Sequence, residues 1–237
     1  MADESLRGYR RLAVVLMLLF TACTPAADFD VQQSQTEKLM EDFGIDPGAA
    51  MNLPSGSRIV FFGDSITAGG VKEGGYVTLV EDALATLYPE RNIEVLGTGV
   101  VGDQVPDLAR RLRKDVLAKK PTHVVVYVGV NDVASLGPSR AALNAGAEEY
   151  AEGLTALVDS ITASGAEVML CTPGVIGEDV DQGTLTNYGL ELYASKVREL
   201  ATLRQTGLCD LRSEFTRYLA ENKRLSKRSG ALTVDGL

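Results

Sequence analysis

The chain predicts an α/β fold, a single doubly wound parallel sheet of five strands with helices on both faces. Three observations carry that prediction. From Arg58 onward, five short apolar runs alternate with segments whose apolar residues recur at helical spacing. The first and third runs, "RIVFFG" and "THVVVYVG", are continuously apolar at their centres rather than at every second residue, as expected of strands covered on both faces. And 237 residues with 45% hydrophobic content can bury one such core.

Each element has its own warrant. "RIVFFG" (58–63) is a short apolar run closed by glycine and reads as the first strand. Tyr76, Leu79, Val80, Ala83, Leu84 and Leu87 stripe a helix. "NIEVLG" (92–97) reads as the second strand. Leu108, Leu112 and Val116 mark the next helix, with Pro106 suited to its first turn. "THVVVYVG" (122–129) is β-branched and apolar, which suits a central strand. Leu143, Ala147, Tyr150, Leu154, Leu157 and Ile161 make a long amphipathic helix. "AEVMLC" (166–171) is the fourth strand, Leu192, Val197, Leu200 and Leu203 stripe a further helix, and "GLCDL" (207–211) is the fifth strand. This alternation implies βαβ units in a flavodoxin-like sheet, with the ligand site in the loops beyond the carboxyl ends of the strands.

Composition limits the function. The net charge of −9 argues against nucleic acid, whose phosphates need a basic face. Three cysteines, at 23, 171 and 209, form no CxxC and no Cys/His cluster, so no metal site is expected. Cys171 and Cys209 sit in apolar runs and read as buried free thiols, with a disulfide between neighbouring strands as the alternative. A single histidine, His123, opens the third strand. Six residues at about 3.3 Å each put it about 20 Å from that strand's active edge, so it reads as structural.

The loops carry the candidate chemistry. "GDSITAG" (63–69) would expose Ser65 on a strand-to-helix turn, where helix amides can assist a nucleophile. The α/β-hydrolase elbow GxSxG is absent, since Thr67 stands where its second glycine belongs. "GTGVVGDQ" (97–104) is a literal GxGxxG, yet it follows the second strand, Asp103 adds a negative charge at the helix start, and no acidic residue closes a strand about 20 positions on. A nucleotide cofactor is therefore not expected. The alternative role is for Gly102 to offer its backbone N–H to a developing oxyanion. "GVNDVASLG" (129–137) places Asn131 to donate a neutral amide into the same cleft. One nucleophile and two extra donors at one sheet edge suit acyl transfer.

Together, "GDSITAG", "GTGVVGD" and "GVND" resemble the first three blocks of the SGNH hydrolases, also called GDSL esterases. The second block has Gly97 where the family has Asn, and its functional glycine is taken as Gly102. "VDGL" resembles the start of the fourth signature, an Asp separated by two residues from a His. The resemblance implies Ser65 as nucleophile, an oxyanion hole made by Ser65, Gly102 and Asn131, and Asp235 as the acid that orients the histidine. That histidine would directly follow Leu237, and the family's closing helix would come later still. The expectation is therefore a domain, 57–237, that is incomplete at its C-terminus and lacks its last helix. Such a chain by itself would be nearly inactive, since loss of a triad histidine costs on the order of a million-fold in turnover. A ligand-binding pseudoenzyme of the same fold is the rival. The family's substrates imply acetyl or short-acyl esters of carbohydrates first, and lysophospholipids or other small esters second, with neither metal nor nucleotide required.

The N-terminus reads as an export signal. Arg7, Arg10 and Arg11 precede the apolar run Leu12–Phe20, too short for a bilayer, which needs about 20 residues. "FTAC" resembles a bacterial lipobox, making Cys23 the lipidated residue after removal of 1–22. That would anchor the protein to the bacterial envelope through lipid alone. Ordinary cleavage near "TPAA", giving a soluble periplasmic or extracellular protein, is the alternative. Residues 23–56 read as a tether with one short helix at Thr36–Phe43.

Overall fold

The computed structural model describes residues 53–137, 139–177 and 184–221. Five strands, β1 (Arg58–Gly63), β2 (Glu94–Gly99), β3 (His123–Tyr127), β4 (Glu167–Cys171) and β5 (Gly207–Cys209), form one sheet in the order β2-β1-β3-β4-β5. All four pairings are parallel. β2 lies on one side of β1 and every later strand on the other. The strand order thus reverses beside β1, and the chain leaves the sheet in opposite directions there, opening a crevice at the carboxyl edge.

Successive strand residues serve two cores, because side chains alternate across a sheet. Val60, Phe62, Val124, Val126, Val168 and Leu170 face one layer, made by α3 (Val105–Asp115), α4 (Val130–Ala134), α5 (Arg140–Ala163) and α6 (Leu185–Arg204). Ile59, Phe61, Val125, Tyr127, Met169 and Cys171 face the other. There they meet Val80 and Leu84 of α2 (Tyr76–Leu87) and Leu211 of α7 (Leu211–Glu221). α1 (Ser65–Gly70) is one short turn at the end of β1. The strand side chains named here are almost wholly buried, and each large one contributes about 1.5–3 kcal/mol by leaving water.

The doubly wound parallel fold is as the sequence predicts, with local differences. β2 begins two residues later, because Pro89–Arg91 form a 3₁₀ turn that ends on left-handed Asn92 (φ 50°). It also runs on to Gly99, held by pairing with β1 as far as Gly63. β5 stops at Cys209, because Asp210 accepts a hydrogen bond from the Ser213 amide and starts α7. α1, α4 and α7 are additions to the sequence reading. Leu53 is already buried, its carbonyl accepting from Arg91 at 2.9 Å.

Cys171 and Cys209 are buried free thiols in register on neighbouring strands. Their mutual hydrogen bond, together with burial, holds the Cys209 thiol well above its usual range. The helix expected at Thr36–Phe43, the lipobox with Cys23, Asp235 and the family's closing helix all lie outside the described residues. Among the described residues no helix is long and apolar enough to cross a membrane.

Candidate active site

The sheet order puts β1 between β2 and β3, so the loop after β1 is flanked by those after its two neighbours. Gly63 pairs with Gly99 on one side and Tyr127 on the other. Ser65 lies two residues beyond that line, Gly102 three and Asn131 four. Neighbouring strands are about 4.8 Å apart, so the loops carrying the three residues leave the same edge of the sheet side by side.

Ser65 is exposed as the first residue of α1. Asp64 caps that helix, its Oδ1 accepting from the Ile66 amide at 2.9 Å. The first amides of a helix have no partner within it, so this turn presents donors beside the serine. Gly102 is exposed at φ +84°, with open space where a Cβ would project. Few side-chain-bearing residues accept that backbone, and the space lets a bound group come close. Asn131 is half-buried in α4, and its Nδ2 donates to the Asp103 carbonyl at 3.0 Å. An amide nitrogen carries two hydrogens, so one N–H is left over for the cleft.

The loop between β2 and α3 is fastened from both sides. From α4, Asp132 Oδ1 accepts from the Val105 amide at 3.0 Å. From α3, Arg111 reaches Asp103 at 2.6 Å. Asp107 accepts from the Gln104 amide at 2.9 Å. Protein carboxylates thus occupy the Gln104 and Val105 amides, where a pyrophosphate would otherwise bind, and Asp103 itself is turned inward onto Arg111. Among the described residues no group of three or more His, Cys, Asp or Glu could hold a metal ion.

Two carboxyls behind the site are perturbed. Burial pushes Asp64 up to about 6, with the charges of Asp132 and Asp103 adding and the Ile66 amide opposing. Burial likewise pushes Asp132 to about 6 against the Val105 amide, and its Oδ2 has no hydrogen-bond partner. Neither residue was singled out in the sequence, nor was Arg111. Asp132 could be found there only as the neighbour of Asn131. Arg111 carries one weak signal, an acidic residue (Asp115) four positions on.

His123 sits at the amino end of β3, away from the cleft. It is buried, with Nδ1 2.7 Å from Thr122 Oγ1. Away from Ser65, Gly102 and Asn131, an apolar cavity of about 290 Å³ opens between α4, α5 and α6, lined by Val133, Leu136, Leu143, Ile176 and Leu185.

Comparison with known proteins finds relatives that are esterases. The family model described as GDSL-like Lipase/Acylhydrolase matches residues 61–231. The acetylxylan esterase of Geobacillus stearothermophilus is 30% identical over 183 residues, 71% of this chain and 82% of that protein. The mouse isoamyl acetate-hydrolyzing esterase 1 homolog is 27% identical over 202 residues, 76% and 78% of the two chains. A solved acetyl xylan esterase, AlAXEase, superposes with TM-score 0.68 and 37% identity, covering 76% of this chain and 90% of that one. Two solved variants of the Geobacillus enzyme, described as catalytic mutants, replace a histidine or an aspartate by alanine, with two residues between those positions. Each is 28% identical to this chain and covers 72% of it and 83% of that chain, with TM-scores of 0.63 and 0.62. With its fold, its three cleft loops and these relatives in agreement, the chain belongs to the GDSL-like lipase/acylhydrolase family, the SGNH-type carboxylic ester hydrolases.

Proposed function

We propose that this esterase removes acetyl or similarly short acyl groups from carbohydrate esters through a Ser65 acyl-enzyme. The supporting observation is the strand register, which sets the loops of Ser65, Gly102 and Asn131 next to one another at one sheet edge. Ser65 Oγ attacks the ester carbonyl as its proton passes to a general base. The carbonyl oxygen takes the negative charge and is met by the Ser65 and Gly102 amides and the remaining Asn131 N–H. Collapse expels the alcohol, which takes the proton from the base, and water then releases the acid by the same route.

The base is not among the described residues, and His123 is on the wrong edge. In this reading it is a histidine oriented by Asp235, the pair of residue types replaced in the Geobacillus catalytic mutants. Cys23 is the anchor of an exported lipoprotein. The acetyl xylan relatives support an acetylated sugar as substrate.

The test is hydrolysis of p-nitrophenyl acetate and of acetylated xylo-oligosaccharides by the protein. Ser65→Ala is expected to abolish turnover and Asn131→Ala to lower kcat about 10²–10³-fold. Undiminished turnover in Ser65→Ala would sink the reading.

A second reading concerns the alcohol half. One relative is named for isoamyl acetate, and an apolar cavity behind α4 has room for an alkyl group. Faster hydrolysis of isoamyl acetate than of acetylated xylo-oligosaccharides, reversed by Leu136→Asn, would favour it.

A further inference from the structure

We propose that Arg111 is a positioning residue that holds the nucleophile turn and the oxyanion loop in register with each other. The proposal rests on Ser65 and Gly102 acting as described above. The guanidinium lies where β1 and β2 part company, and it binds both. Nη2 donates to the Gly63 carbonyl at 2.8 Å, two residues before Ser65. Nη1 donates to the Thr98 carbonyl at 2.6 Å. Nε donates to Asp103 Oδ2 at 2.6 Å, one residue after Gly102. Asp115 accepts from Nη1 at 3.3 Å, one helical turn along α3, and the guanidinium carbon lies 4.5 Å from the centre of the Phe62 ring. One planar group thus ties the last residue of β1, the last turn of β2 and the residue after Gly102 to a single helix.

The arrangement suits arginine and no other side chain. Four hydrogen bonds leave in fixed directions from one rigid plane, where lysine has a compact ammonium on a flexible stem. The side chain is 15% exposed, so a bulk ion would not replace it easily. Asp103 extends the tie, since its carbonyl holds Asn131. A loosened Arg111 would therefore shift two oxyanion donors relative to the serine, and displacement of about 1 Å can cost roughly 10²-fold in rate.

The experiment compares Arg111→Met, Arg111→Lys and Arg113→Met in the full-length natural protein on p-nitrophenyl acetate. Arg113 is an exposed neighbour on the same helix and serves as control. The expected result for Arg111→Met is a kcat loss of roughly 10²-fold with KM within about twofold. Arg111→Lys should fall between it and wild type, and Arg113→Met should match wild type. A folded Arg111→Met with unchanged kcat, or with kcat and KM impaired together, would overturn the proposal. Hydrogen exchange on residues 1–237 gives a second readout that needs no turnover. Faster exchange confined to peptides 63–66 and 98–104 supports the tie, and uniform change across β3 and β4, or none, refutes it. Should Arg111→Met fail to fold, Asp103→Asn weakens the same tie and is read by the same two criteria. Activity that persists in Ser65→Ala counts against the proposed function, whereas the exchange result judges Arg111 independently.

Discussion

Asp64 and Asp132 are carboxyl groups kept from water beside the residues the chemistry uses. Both have a folded-state pKa raised to about 6 from an ordinary 3.8. A raised acid favours the folded state while protonated. Their contribution is therefore fully present below about pH 4 and is lost as pH rises through about 6. A shift of this size corresponds to about 3 kcal/mol per group. Asp132→Asn keeps an oxygen for the Val105 amide and cannot ionise. Its stability relative to wild type is expected to improve by about 2–3 kcal/mol between pH 4 and pH 7, measured by urea unfolding at each pH. No change in that difference with pH would show that Asp132 titrates normally. At this scale Ser65, Gly102 and Asn131 can be picked out in the sequence as candidates because each lies within four residues of a strand end. Asp132 and Arg111 cannot, because their roles depend on partners from another element: the Val105 amide for Asp132, and the β1 and β2 carbonyls for Arg111.

Between elements, two glycines of one loop separate close approach from backbone conformation. A Cβ on Gly99 would lie 2.1 Å from the Ala68 nitrogen and 2.6 Å from the Asp64 carbonyl oxygen, so the end of β2 packs directly on the backbone of α1. Gly102 meets nothing, but its φ of +84° penalises any L side chain. Gly99→Ala is expected to destabilise by about 3 kcal/mol, the upper end of the roughly 1–3 kcal/mol typical of overpacking. Gly102→Ala should cost about 1–2 kcal/mol. Parallel urea titrations would check the order, and a smaller loss at Gly99 would mean that α1 can move aside. The long helices were legible from their stripes, and β1 from its apolar run. α7 also carries a stripe, Leu211, Phe215, Tyr218 and Leu219, but in the sequence Leu211 closes the apolar run "GLCDL" and hides the helix start. α1 and α4 have 6 and 5 residues, too few for a periodic pattern to emerge.

Across the molecule, both core layers share the same five strands, so neither layer can open without exposing the other's backbone. Unfolding is expected to be a single cooperative transition, with tyrosine fluorescence and far-UV circular dichroism coinciding. Buried Cys171 and Cys209 should react with a thiol reagent only in step with that transition. Earlier reaction would reveal local opening at β4 and β5. The parallel sheet also divides the chain by direction. Every cleft loop leaves a carboxyl end, while His123 and the turn at Ser164–Gly165 sit at the amino edge. Gly165 has φ +89° and open space around it. A reporter domain or affinity tag spliced in at Gly165 should therefore leave esterase turnover within about twofold of the parent. The fold thus offers a port through which the enzyme can be immobilised or fused while its substrate face stays unobstructed.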